Sequence, residues 1–193
     1  MKRIALGFVV LLATAAAGNA ADSSATSGST QAIGLFRLAC LDHAGDSSGL
    51  RAFLEDHGLH QMTADQAVPF VRTYPGAVYG ATAKGIRLAV AAHDNGACSV
   101  FADQGDMADI DATLDSLLRR LAVPFIVVRD GPMPQHPAVH DRVYHVKLGG
   151  TIYSAVISTD ETNVALKAIM TLAPRNPADA VPQDAQLMEA AKP

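Results

Sequence analysis

The chain has 193 residues, of which 49% are apolar and 18% charged. That composition excludes a disordered or collagen-like chain and suits one globular domain with tails. A formal charge of −4, the absence of Trp, and only four Tyr and six Phe exclude a nucleic acid held by a dense basic patch or by stacked rings.

Residues 1–20 read as a cleavable signal peptide. Lys2 and Arg3 form a positive start, Ile4 to Ala13 an apolar run, and Ala15 to Ala20 a small-residue segment ending in Gly18-Asn19-Ala20. The apolar run is well short of the roughly 20 residues a membrane-spanning helix needs. Leu38-Ala39-Cys40 resembles the end of a lipoprotein signal. However, Cys40 lies behind the polar run Asp22 to Gln31, and Arg37 stands where an apolar residue is wanted. Cleavage would leave 13 basic against 19 acidic residues, a charge of −6. The expectation is a bacterial periplasmic or secreted protein with no membrane attachment after cleavage.

Residues 21–30 are rich in Ser, Thr, Gly and Ala and read as a flexible leader. Residues 31–173 form the single domain, and 174–193 a Pro/Ala-rich tail. In the domain, Ile33, Phe36 and Cys40 share a helical face. Leu50, Phe53 and Leu54 mark a second helix that Gly58 ends, with Asp46 or Ser47 as its cap. Thr63 to Arg72 is ambiguous, because Pro69 interrupts any continuous helix. From Ala77 the period becomes two. Strands are expected at Ala77–Ala83, Ile86–Val90 and Cys98–Ala102, with turns at Lys84-Gly85 and Asp94-Asn95-Gly96. Asp106 caps a central helix with the stripe Met107, Ile110, Leu114, Leu117, Leu118 and Leu121, ended by Pro124. Further strands are expected at Phe125–Arg129, Val143–Leu148, Thr151–Ser158 and Val164–Leu172, with Gly149-Gly150 as a hairpin turn. The expected fold is α+β: an antiparallel sheet of five to seven strands with helices on one face, N-terminal helices plus one central helix.

Two cysteines exclude a four-cysteine zinc site. In an exported chain the expected state is a Cys40–Cys98 disulfide joining the helical layer to the sheet.

Candidate chemistry is sparse. Gly45-Asp46-Ser47-Ser48-Gly49 matches the G-x-S-x-G elbow, and Gly45-Asp46-Ser47 resembles the opening signature of the SGNH hydrolases, which would make Ser47 a nucleophile. The elbow needs a strand before it, and the Asp-x-x-His of that family is absent. His136, His140 and His145, with Met133 or Asp141, have residue types that bind zinc or copper. Pro132, Pro134 and Pro137 exclude the helix that would align the first two. Asp106, Asp109, Asp111 and Asp115 read as a helix start and a polar face. No phosphate-binding or dinucleotide glycine pattern occurs, so no cofactor is expected. The reading that results is an exported, disulfide-braced protein with a non-catalytic binding role toward a protein or small ligand in the cell envelope. Its partner-facing surface is expected to be an irregular loop over residues 130–142 carrying Met133, His136, Val139 and His140. A small serine hydrolase using Ser47 and a histidine-loop metal protein are the alternatives.

Overall fold

The computed structural model describes residues 20–71, 74–160, 162–163 and 165–189. The expected signal peptide therefore lies outside the described residues, apart from Ala20. Its elements in chain order are α1 (Ala20–Leu35), a π-helical continuation (Phe36–Leu41), α2 (Ser47–Asp56), β1 (His60–Gln61), α3 (Ala64–Ala67), β2 (Gly76–Ala83), β3 (Ile86–His93), β4 (Cys98–Ala102), α4 (Met107–Arg120), β5 (Phe125–Met133), β6 (His136–Leu148), β7 (Thr151–Asp160), β8 (Ala168–Pro174), a 3-10 turn (Pro177–Asp179) and α5 (Asp184–Glu189). All eight strands join one antiparallel sheet in the order β1-β2-β3-β4-β8-β7-β6-β5.

This corrects the expected fold class. The sheet has eight strands rather than five to seven, and strand dominates the architecture instead of N-terminal helices plus a central one. Two features escape the sequence pattern. β1 is too short to show a period, and β5 and β6 run on through two prolines, Pro132 and Pro137. The prolines are tolerated because they sit where no ladder bond is needed. β7 ends opposite Val139, so His136 has a partner only in β5, which is itself the edge strand, and Pro137 and Ala138 are paired with neither neighbour.

Three of the expected turns form. Lys84 and Gly85 both take positive φ (51° and 82°), as do Gly149 and Gly150 (54° and 90°), which matches the twist of the flanking strands. Between β3 and β4 only Gly96 does so, at 84°, rather than both residues of the Asn-Gly pair.

One sheet face carries the main core. It gathers Ile33, Phe36 and Cys40 from the N-terminal helix, Leu50 and Leu54 from α2, and Ile110, Leu114 and Leu118 from α4. These pack on Val90, Val100, Met170, Leu172, Ile157 and Tyr144 of the strands. The opposite face holds a smaller cluster in which Ala67, Met62 and Phe70 cover Val78, Ala89, Ala91 and Phe101. Strand alternation accounts for both faces: Tyr153, Ala155 and Ile157 are buried while the residues between them are half-buried.

Helical structure extends into both terminal segments. α1 runs through the segment read as a flexible leader, and Ser29 is buried, its Oγ accepting the Asp106 N–H at 3.0 Å. Gly28 permits this approach, since a Cβ there would lie 2.7 Å from the Gln104 Cβ. In the C-terminal segment, Leu187 and Asp184 of α5 are buried against the sheet.

Candidate functional site

The disulfide forms as expected. Cys40, in the π-helical turn, and Cys98, at the start of β4, are bridged with their Cα atoms 5.3 Å apart. Both sit in the main core, so the bridge fastens the helical layer to the centre of the sheet.

Ser47 is not presented as an elbow nucleophile. A helix and turn precede it rather than a strand, and its hydroxyl donates to the His93 carbonyl at 2.7 Å. Asp46 is the helix cap, accepting the Gly49 N–H at 2.9 Å and the Ser48 hydroxyl at 2.9 Å. Those two bonds hold its carboxyl below the usual range. Gly45-Asp46-Ser47 is a docking joint between α2 and β3.

The 130–142 segment is not an irregular loop. It is the outer part of a long β5–β6 hairpin, paired from Phe125↔Val146 to Met133↔His136, with register shifts between Val127 and Arg129 and between Pro132 and Met133; across the second, Pro137 to Val139 have no partner in β5. Beyond the Val139↔Asp160 pair its free end extends past β7. His136 is exposed there, and Met133, Val139 and His140 are half-exposed. Neither hydrophobic cluster of the described residues draws a member from 129–142.

The three histidines do not converge. His140 and His145 are five residues apart on β6, so they point to opposite faces, about 16 Å apart along the strand. His136 and His140 sit opposite the adjacent β5 residues Met133 and Pro132, with an irregularity in the pairing between them. A shared ion needs ligand nitrogens about 2 Å from the metal. Among the described residues no group of His, Cys, Asp or Glu is placed to hold a metal. Instead, His140 Nε2 contacts Asp130 Oδ1 at 2.7 Å, and His145 Nδ1 contacts Asp184 Oδ1 at 2.6 Å.

The base of the hairpin is anchored by a polar cluster that sequence reading missed. Arg142 of β6 reaches Asp111 Oδ2 of α4 at 2.9 Å, Asp130 of β5 at 3.5 Å and Asp115 of α4 at 3.9 Å. The Tyr144 hydroxyl donates to Asp111 Oδ1 at 3.3 Å. Burial pushes the Asp111 carboxyl above its usual value, and the Arg142 guanidinium and Tyr144 hydroxyl offset only part of that. Burial and the neighbouring Asp111 and Asp115 charges raise the Tyr144 phenol strongly. A signal for this existed. Asp111 falls four residues after Met107 and seven before Leu118, on the apolar stripe itself rather than on the polar face.

No family model, no curated protein and no solved structure matches this chain.

Proposed function

We propose that this protein is exported to the cell envelope and acts there by binding a partner protein through the free end of the β5–β6 hairpin. The observation that carries the reading is the projection of that end past β7 without any contribution to either core cluster. The φ angles fixed by prolines 132, 134 and 137 lower the entropy cost of presenting Met133, His136, Val139 and His140. Support for export comes from the Lys2-Arg3 start and apolar run, from the core disulfide, and from the lack of any helix among the described residues long and apolar enough to cross a membrane.

The test places a photo-crosslinking amino acid at position 136 in the producing cell. One dominant crosslinked band from the envelope fraction is expected, lost when Met133, Val139 and His140 are changed together to Ser. Crosslinks that persist in that variant, or full-length protein confined to the cytoplasm, would overturn the reading.

A second reading rests on a pocket of about 510 Å³ between β7 and the C-terminal segment, lined by Ile152, Val181, Pro182, Ala185 and Met188 with Arg175. Its volume lies in the range of small-molecule sites. A small apolar ligand retained in native mass spectra, and lost in Met188→Glu, would favour it.

A further inference from the structure

On the sheet face opposite the main core, His93 at the end of β3, Ser99 of β4 and Thr171 of β8 form a connected polar group. Ser99 and Thr171 are direct cross-strand partners. His93 Nε2 lies 3.3 Å from Ser99 Oγ, and Ser99 Oγ lies 2.9 Å from Thr171 Oγ1. The other ring nitrogen, Nδ1, is 3.2 Å from the Tyr74 carbonyl oxygen. A carbonyl only accepts, so Nδ1 carries the proton of the neutral ring and Nε2 presents its lone pair to the Ser99 hydroxyl. That is the tautomer a general base needs toward a serine nucleophile.

The three residues line a cavity of about 320 Å³ whose other walls include Pro69, Phe70, Phe101 and Ile169. His93 and Ser99 are almost wholly buried, at 5% and 4% exposure. Burial lowers the His93 pKa from its ordinary 6.5, against the raising influence of the Tyr74 carbonyl and Asp94, and so keeps the imidazole neutral at pH 7. Apolar walls around an oriented hydroxyl–imidazole pair are an arrangement in which a polar reaction is shielded from water.

We propose that this cavity is an acyl-transfer site for small carboxylic esters, with Ser99 as nucleophile, His93 as general base and Thr171 as donor to the developing oxyanion. Ser99 Oγ bonds to the ester carbonyl carbon as its proton passes to His93 Nε2. The C–O bond to the alcohol then breaks, and the alcohol leaves with that proton. Water, deprotonated by the same nitrogen, attacks the acyl-serine, and the acid departs as Ser99 regains its hydrogen. The assignment goes beyond partner binding by the hairpin. It uses the opposite face from His140 and Asp130, so either reading can fail without the other.

The test treats the full chain, disulfide intact, with a fluorophosphonate, and measures hydrolysis of p-nitrophenyl acetate and butyrate. The phosphonate is expected on the peptide containing Ser99. Ser99→Ala should abolish labelling, His93→Gln should slow hydrolysis roughly 100-fold or more, and Thr171→Val should lower kcat roughly 100-fold. The charged or titratable neighbours of His93 are Asp94, Arg51 through its pairing with Asp94, and Tyr74, whose ring lies at 6.0 Å. With the His93 pKa depressed, labelling should switch on with a midpoint below pH 6.5 and stay flat above it. An unmodified mass, a label on any other serine, or a rate that climbs with hydroxide concentration to pH 9 would overturn the proposal. The wild-type labelling result depends on no variant folding.

Discussion

His145 and Asp184 are 39 positions apart in sequence, yet His145 Nδ1 and Asp184 Oδ1 lie 2.6 Å from each other with both side chains buried. The contact pins the start of α5 to the middle of β6. Asp184 also accepts from Arg175 at 2.7 Å and from the Val181 N–H at 2.9 Å. Arg175 in turn donates to the Asp179 carbonyl. Burial opposes the Asp184 charge, but the Val181 N–H, His145 and Arg175 outweigh it and bring its pKa below the usual 3.8.

Asp184→Ala would remove the buried carboxylate shared by Arg175 and His145, leaving Arg175 the Asp179 carbonyl. The expected loss is about 3 kcal/mol, or the full docking stability of the tail where that is smaller. Amide exchange of residues 184–189 should accelerate well before the central strands respond. The sign with pH follows from the lowered carboxylate pKa. The contribution is complete above the unfolded value of 3.8 and disappears as pH falls through the folded value. Equal exchange rates in wild type and variant would show that the contact does not hold the tail.

The Cys40–Cys98 bridge closes a sequence separation of 58. On the chain-entropy model, changing both residues to Ala should lower unfolding free energy by about 4 kcal/mol. Denaturant titration checks this, and an unchanged midpoint would refute it.

Arg142 and Asp111 should behave asymmetrically although they contact each other. Arg142→Met leaves Asp111, Asp115 and Asp130 converging without their shared cation, and should cost about 3 kcal/mol at pH 7. The raised Asp111 pKa means that ionising this buried carboxyl works against the fold as pH rises above 3.8. Asp111→Asn should therefore stay within about 1 kcal/mol of wild type. Acidification should recover part of the stability of the Arg142 variant and none of the Asp111 variant's difference. Paired melts at pH 4 and pH 7 test both signs.

Replacing Met133, His136, Val139 and His140 together by Ser should hardly move the melting temperature. The His140–Asp130 contact it removes is exposed at 44% and 47%, and exposed pairs contribute about 0–1 kcal/mol. A fall of more than a few degrees in a thermal melt would mean that the hairpin end packs rather than presents.

Local features were legible because they depend on neighbours in sequence. Asp46 and Asp106 cap their helices since a side-chain oxygen two or three residues away satisfies a free N–H. Lys84-Gly85 and Gly149-Gly150 turn because the hairpin twist demands positive φ there. The alternation in β7 and the stripe of α4 reveal which side faces the core. The cysteine pairing followed from there being two cysteines and one bridge to make.

What tertiary structure decided was the relationships between distant segments other than the disulfide. Pro132 and Pro137 read as breakers, yet they sit in strands, because an edge position and a missing neighbour remove the need for their N–H groups. Asp111 read as a polar-face residue until Arg142 arrived from a strand 31 positions away to meet it. His93 and Ser99, only six residues apart, face Thr171 across 72 residues of chain, and Asp184 finds His145 from a tail whose composition promised no order. Periodicity states which face a residue occupies. It does not state which other face will be pressed against it, because that is set by the strand order and register that bury the most apolar surface at once.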